Sequence, residues 1–142
     1  MVPRHFASDV DDLVQAIGLL VRRVRAAAAE HGLSVTESSV LSRLARDGAA
    51  TTADLARAEG MRPQSMATAI AALEERGLVE RKPHPTDGRQ VNIELTAHGT
   101  ALRNSAMDAK RTWLAQSIAQ LDDREQQTLF KAGEIIKRLA EQ

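Results

Sequence analysis

The sequence has no cysteine and no tyrosine, and it carries one tryptophan and two phenylalanines in 142 residues. Without thiols there is no disulfide framework, no cysteine-held zinc and no thiol redox switch. With so few aromatics, a base-stacking platform for single strands is not expected. Charge of either sign is not in excess: 19 basic residues balance 19 acidic ones. Overall charge therefore gives no support for nucleic-acid binding, and any basic surface must be local. Even between Arg62 and Arg89, five basic residues (Arg62, Arg76, Arg81, Lys82, Arg89) meet four acidic ones (Glu74, Glu75, Glu80, Asp87). No apolar run approaches the roughly 20 residues that a helix needs to cross a bilayer. The start of the chain lacks the basic residues and apolar stretch of a signal peptide, so cytoplasmic residence is the expectation. His5, His31, His84 and His98 show no close metal-ligand spacing. There is no nucleophile–base pairing, no glycine-rich phosphate loop and no His-Glu-x-x-His pattern, so neither catalysis nor a cofactor is expected.

What the sequence does have is helical periodicity. Residues 1–7, with Pro3 and Arg4, read as a loose arm. From Asp9 to about His31, Val10, Leu13, Val14, Ile17, Leu20, Val21 and Val24 form a sustained apolar stripe, and Gly32 fits the stop. That stripe packs either within its own domain or against a second copy. A second helix is predicted with Thr36 as N-cap and Val40, Leu41 and Leu44 buried. Thr51-x-x-Asp54 resembles a capping box and opens a short third helix with Leu55 and Ala56 inside. After Gly99 a long helix runs to about Leu121, striped by Leu102, Ala106, Ala109 and Trp113. Asp122-x-x-Glu125 opens a last helix carrying Leu129, Ala132, Ile136 and Leu139, with Phe130 and Ile135 off that stripe.

The chain is organised around Met61–Thr96. Pro63 suits a first helical position, Met66, Ile70 and Leu73 face a core, and Gly77 ends the helix. Val91, Ile93 and Leu95 alternate with Gln90, Asn92 and Glu94, as in a half-buried strand. Asp87-Gly88 between two extended runs signals a hairpin. Two short helices followed by a hairpin with a basic tip are the working end of a winged helix-turn-helix. In that geometry the second helix enters the major groove. Its outward residues include Gln64, Ser65, Thr68, Ala71 and Ala72, with Arg62 at the threshold. Gln bonds adenine in bidentate fashion, Ser and Thr meet base edges or phosphates, and Ala touches a thymine methyl. A plain solvent-facing surface would explain small residues too, but such a face usually carries Lys and Glu, and Pro63–Leu73 carries no charge. In the wing, Arg81 and Lys82 are candidate phosphate contacts and His84 lies beside them. Arg89 is a candidate for the minor groove, with Asp87 positioned to hold its guanidinium. An ordinary surface ion pair is the bland account of that last pair.

Taken together these residues resemble the MarR family of bacterial transcription regulators. The resemblance spans nearly the whole chain. It is most specific in Leu73-Glu74-Glu75-Arg76-Gly77-Leu78-Val79-Glu80-Arg81, in Asp87-Gly88-Arg89, and in Leu95-Thr96-Ala97-His98-Gly99. It implies a mainly α fold with a small β-hairpin wing. Within a single domain, 1–142, it implies a winged helix-turn-helix lobe over 34–97 and a helical dimerisation region over 8–32 and 98–142. It further implies a homodimer on a pseudo-palindromic operator of double-stranded DNA, released by a small aromatic or phenolic ligand held between the dimer helices and the DNA-binding lobe. Trp113 is a candidate wall of that pocket or simply core. Asp87 and Arg89 match the family's wing pair. The sequence departs where the family often has Thr-Arg, at Ala67-Thr68, and again at Ala71-Ala72. The missing Arg removes a bidentate hold on guanine, so specificity is expected to lean on Gln64, Ser65, the wing and DNA shape. The alternatives are a protein-interaction module, or an always-on small-molecule or metal sensor, of the same fold with weak operator reading.

Overall fold

The computed structural model describes residues 5–142, so Pro3 and Arg4 of the expected arm lie outside the described residues. The elements are α1 (Phe6–Ala27), a 3-10 turn (Ala29–His31), α2 (Val35–Asp47), β1 (Ala50–Thr51), α3 (Thr52–Ala58), α4 (Pro63–Glu75), β2 (Val79–Pro83), β3 (Val91–Leu95), α5 (Ala97–Ala119) and α6 (Asp123–Ala140). They form two compact units, one of Met1–Ala27 with Asp108–Gln142 and one of Ala28–Met107.

The Ala28–Met107 unit is built round one closed core. Val40, Leu41 and Leu44 of α2, Leu55 and Ala56 of α3, and Met66, Ile70 and Leu73 of α4 pack with Leu78, Val79 and Ile93. The sheet is antiparallel in the order β1-β3-β2. Ile93 sits at its centre, opposite Arg81 on one side and Ala50 on the other. The two-residue β1 is too short to be read from the sequence.

Two expectations are corrected. The N-cap of α2 is Ser34, not Thr36. The Ser34 hydroxyl accepts from the Glu37 N–H at 3.1 Å and the Glu37 carboxylate accepts from the Ser34 N–H at 2.9 Å, a full capping box. Val91 is not part of the buried strand face: it is 44% exposed, because its neighbour across the ladder is Pro83, at the end where the core stops. The hairpin that Asp87-Gly88 signals is present, β2 pairing antiparallel with β3, and its connection is longer than a two-residue turn. Seven residues, 84–90, separate the strands, and within them the Gln90 N–H donates to the Asp87 carbonyl at 3.0 Å. Gly88 keeps a negative φ, so the primed turn that an Asp-Gly pair favours is absent.

The helix ends explain the rest of the unit. α4 closes in a Schellman motif: the Leu78 N–H donates to the Leu73 carbonyl at 3.0 Å and the Gly77 N–H to the Glu74 carbonyl at 2.9 Å. Gly77 has φ +74°, which only glycine adopts cheaply. The chain then turns straight into β2. Thr96 caps α5, its hydroxyl donating to the Gly77 carbonyl at 2.6 Å and accepting from the Gly99 N–H at 3.0 Å. A Cβ at Gly99 would overlap the Leu78 carbonyl oxygen, so α5 starts this close to the α4–β2 junction only because that position is glycine.

In the other unit, Asp122 caps α6 by accepting from the Glu125 N–H at 2.8 Å. The Arg23 guanidinium lies over the Trp113 ring, 5.3 Å from its centroid. Neither α1 nor α6 has a buried residue.

Candidate nucleic-acid interface

α4 exists as a positioned helix because both ends and one face are held. Arg62 is its N-cap in extended conformation, and Pro63 occupies the first turn. Ahead of it, Glu59 and Gly60 form the turn from α3. That turn is tied to α2 by Glu59, whose carboxylate accepts from the Ser39 hydroxyl at 2.8 Å and from Arg43 Nε at 3.1 Å. Behind it, the guanidinium of Arg76 donates to the carbonyls of Gly32 at 3.0 Å and His31 at 3.2 Å. With Met66, Ile70 and Leu73 fully buried, the opposite face bears Arg62, Gln64, Ser65, Ala67, Thr68, Ala71 and Ala72, all exposed. The Thr68 hydroxyl donates to the Gln64 carbonyl at 3.1 Å.

The wing gathers His84, Asp87 and Arg89 into one loop. His84 is half-buried and turned inward: its Nδ1 accepts from the backbone N–H of Thr86 at 3.2 Å and of Asp87 at 3.1 Å. In this arrangement it shapes the loop from within. Asp87 Oδ1 accepts from the Arg89 N–H at 3.0 Å and lies 3.6 Å from the Arg89 guanidinium. The carboxylate thus holds the backbone of the tip more directly than the guanidinium, and the Arg89 side chain stands 95% exposed.

Arg81 and Lys82 are already paired within the protein. Arg81 Nε donates to Glu74 at 3.0 Å, which joins β2 to the end of α4. Lys82 Nζ lies 3.2 Å from Glu94 and 3.4 Å from Glu80. Hydrogen bonding to Glu94, then to Glu80, raises its pKa above the usual lysine value. These acidic partners were missed in the sequence, although the signal was present. Glu80 and Lys82 are two apart on one strand and so share a face, and Glu94 follows from the register that sets Lys82 opposite Asn92. The structure thus places Arg62 at the N-cap of α4, three candidate residues on its first two turns and three in the wing loop. The remaining two sit on β2, tied to acids.

The arrangement offers one helix uncharged from Pro63 to Leu73 and one arginine-tipped ribbon on the same compact unit. Among the described residues no cluster of three or more His, Cys, Asp or Glu could hold a metal. No helix among the described residues is long and apolar enough to cross a membrane.

Comparison with known proteins is consistent along the chain. The sequence profile described as MarR family matches residues 31–90, from before α2 to the end of the wing loop. An HTH-type transcriptional regulator of Mycobacterium tuberculosis, MT0903.1, is 37% identical over 131 residues, 92% of each chain. The HTH-type transcriptional repressor Rv2887 of the same species is 34% identical over 110 residues, covering 77% of this chain and 79% of that one. In fold, a MarR family protein from Bacillus stearothermophilus superposes with a TM-score of 0.84 over the full length of both chains at 17% identity.

Proposed function

This chain belongs to the MarR family of DNA-binding transcriptional regulators, and on that premise we propose that it is a homodimeric, ligand-released repressor of a pseudo-palindromic operator. The observation that carries the dimer is the state of α1 and α6. Val10, Leu13, Val14, Ile17, Leu20 and Val21 on α1, with Leu129, Phe130, Ile136 and Leu139 on α6, all stay exposed, while the winged lobe has a closed core. Apolar area on that scale is left open in a single chain and is what an isologous pairing covers. The helical region, 8–32 with 98–142, is then the dimerisation region, and 34–97 is the DNA-binding lobe. Two copies present two α4 helices to successive major grooves, about 34–36 Å apart. Each Arg89 enters the flanking minor groove, where narrow A·T-rich DNA favours arginine.

Repression is supported by the related Mycobacterium tuberculosis protein named a repressor. Release by a small aromatic or phenolic ligand would be a population shift, the ligand favouring a spacing of the two α4 helices that fits the operator poorly. The test is fluorescence anisotropy with duplexes from the promoter region of its own gene at moderate salt, with mass measured in parallel. Selective binding by a dimer supports the proposal. A monomer, or retention that does not discriminate operator from random duplex, overturns it. A protein-interaction module is the second reading, favoured by the acids that neutralise Arg81 and Lys82. It requires a protein partner retained in the absence of DNA.

A further inference from the structure

The uncharged face of α4 specifies what kind of base pair it reads. This inference rests on the proposal that α4 lies in the major groove. In that groove guanine offers two acceptors, best met by Arg or Lys, and cytosine offers an N4 donor, best met by Asp or Glu. From Pro63 to Leu73 the helix has none of these four residue types. The first acid, Glu74, is engaged by Arg81 at 3.0 Å. Between Pro63 and Leu73, then, a G·C pair meets neither of its usual charged partners; the exposed Arg62 lies before the first turn, at the N-cap.

An A·T pair meets both of its own. Gln64, exposed on the first turn, has the side-chain amide that pairs with adenine N6 and N7. Thymine is identified in this groove by its C5-methyl group, an apolar feature that calls for an apolar neighbour. Ala67, Ala71 and Ala72 supply methyl groups, and all are exposed. Thr68 joins them because its hydroxyl hydrogen is spent on the Gln64 carbonyl at 3.1 Å. What it then presents to a groove is its methyl group and an oxygen that can accept but no longer donate. Small residues also let the helix axis come close enough for such contacts.

We infer that α4 reads a half-site core of A·T pairs, recognising thymines by their methyl groups through Thr68 and the neighbouring alanines and adenine through Gln64.

The experiment uses the full chain and a pool of random duplexes. Bound duplexes are selected, and the selected site is resynthesised with thymines replaced one at a time by uracil, which lacks only the methyl group. The methyl lies in the major groove, so contacts made by the wing in the minor groove are left in place. The expected result is a selected core of A·T pairs and a loss of about fourfold in affinity at one or more uracil positions, the worth of one buried methyl group. In Thr68→Ser, which keeps the hydroxyl and drops the methyl, affinity for the thymine duplex falls. The penalty for uracil at one position shrinks toward unity in the same variant. Selective binding to sites with fixed G·C pairs under α4, or affinity indifferent to every uracil, overturns this inference and leaves the operator-binding proposal standing. A pool that yields no enriched sequence overturns both.

Discussion

Arg89 is the residue on which the wing's contribution depends. Its guanidinium is almost wholly exposed, while the backbone beneath it is fixed by Asp87. The fixed backbone aims the side chain, whose free rotamers are ordered only on binding. Arg89→Ala is expected to weaken operator binding by about 1–3 kcal/mol, read by anisotropy, with the thermal midpoint unmoved because the side chain packs on nothing. Gly99 is the opposite case. It touches no DNA, yet Gly99→Ala puts a Cβ into the Leu78 carbonyl, which is backbone and cannot swing aside. The expected cost is about 2–4 kcal/mol of stability, in the range of severe overpacking. A denaturation midpoint within error of the parent would show that α5 can shift to make room. The Leu95–Gly99 and Leu73–Arg81 motifs thus owe their form to two helix ends meeting. Leu73, Leu78 and Val79 fill the core, Gly77 turns the chain, and Thr96 and Gly99 dock α5 against the turn.

The wing strands carry charges that the fold itself has partly cancelled. Lys82 stands between Glu80 and Glu94 in exposed pairs, which are worth little to stability. Replacing both acids, Glu80→Gln with Glu94→Gln, is expected to leave the thermal midpoint nearly unchanged. The same change frees Lys82 for a phosphate. Affinity should rise, and the slope of log K against log salt should steepen by about 0.9 per protomer. An unchanged slope would show that Lys82 never reaches the DNA backbone. At this scale the sequence was legible wherever a period or a cap governs an element. The burial of Met66, Ile70 and Leu73, of Leu55 with Ala56, and the caps at Thr51 and Asp122 all follow from spacing. It was illegible where tertiary pairing decides. β1 has two residues and exists through its pairing with β3. The Asp-Gly pair could not reveal that His84 would draw the N–H groups of Thr86 and Asp87 inward and lengthen the loop. Ser34 and Glu37 have capping-box spacing, and that reciprocal pair, which Thr36 lacks, sets the start of α2.

For the molecule as a whole, the two units differ in how complete they are. Ala28–Met107 closes a core from five of its elements, whereas α1 and α6 bury no residue. An apolar stripe in water is a standing cost of about 25 cal/mol for each Å² that pairing would cover, and stable interfaces bury about 1,200–2,000 Å² in total. If that stripe is where two copies meet, folding and association are linked equilibria, and the thermal midpoint must climb with protein concentration. Val14 lies on the stripe and is 65% exposed, so a single chain tolerates a charge there. At a dry interface an unpaired carboxylate costs several kcal/mol. Val14→Glu is therefore expected to yield a monomer whose midpoint is lower and independent of concentration, with DNA binding reduced to that of one half-site. Gln15→Glu adds the same charge one position along, on the opposite side of the helix, and should keep the dimer and its affinity. Equal behaviour of the two variants would mean that the stripe is not the joint and that the two α4 helices are brought together by some other surface. Monomer from Val14→Glu alone, with dimer and tight binding retained in Gln15→Glu, makes operator affinity a property of the pair: each lobe folds on its own core, and α1 supplies the second copy.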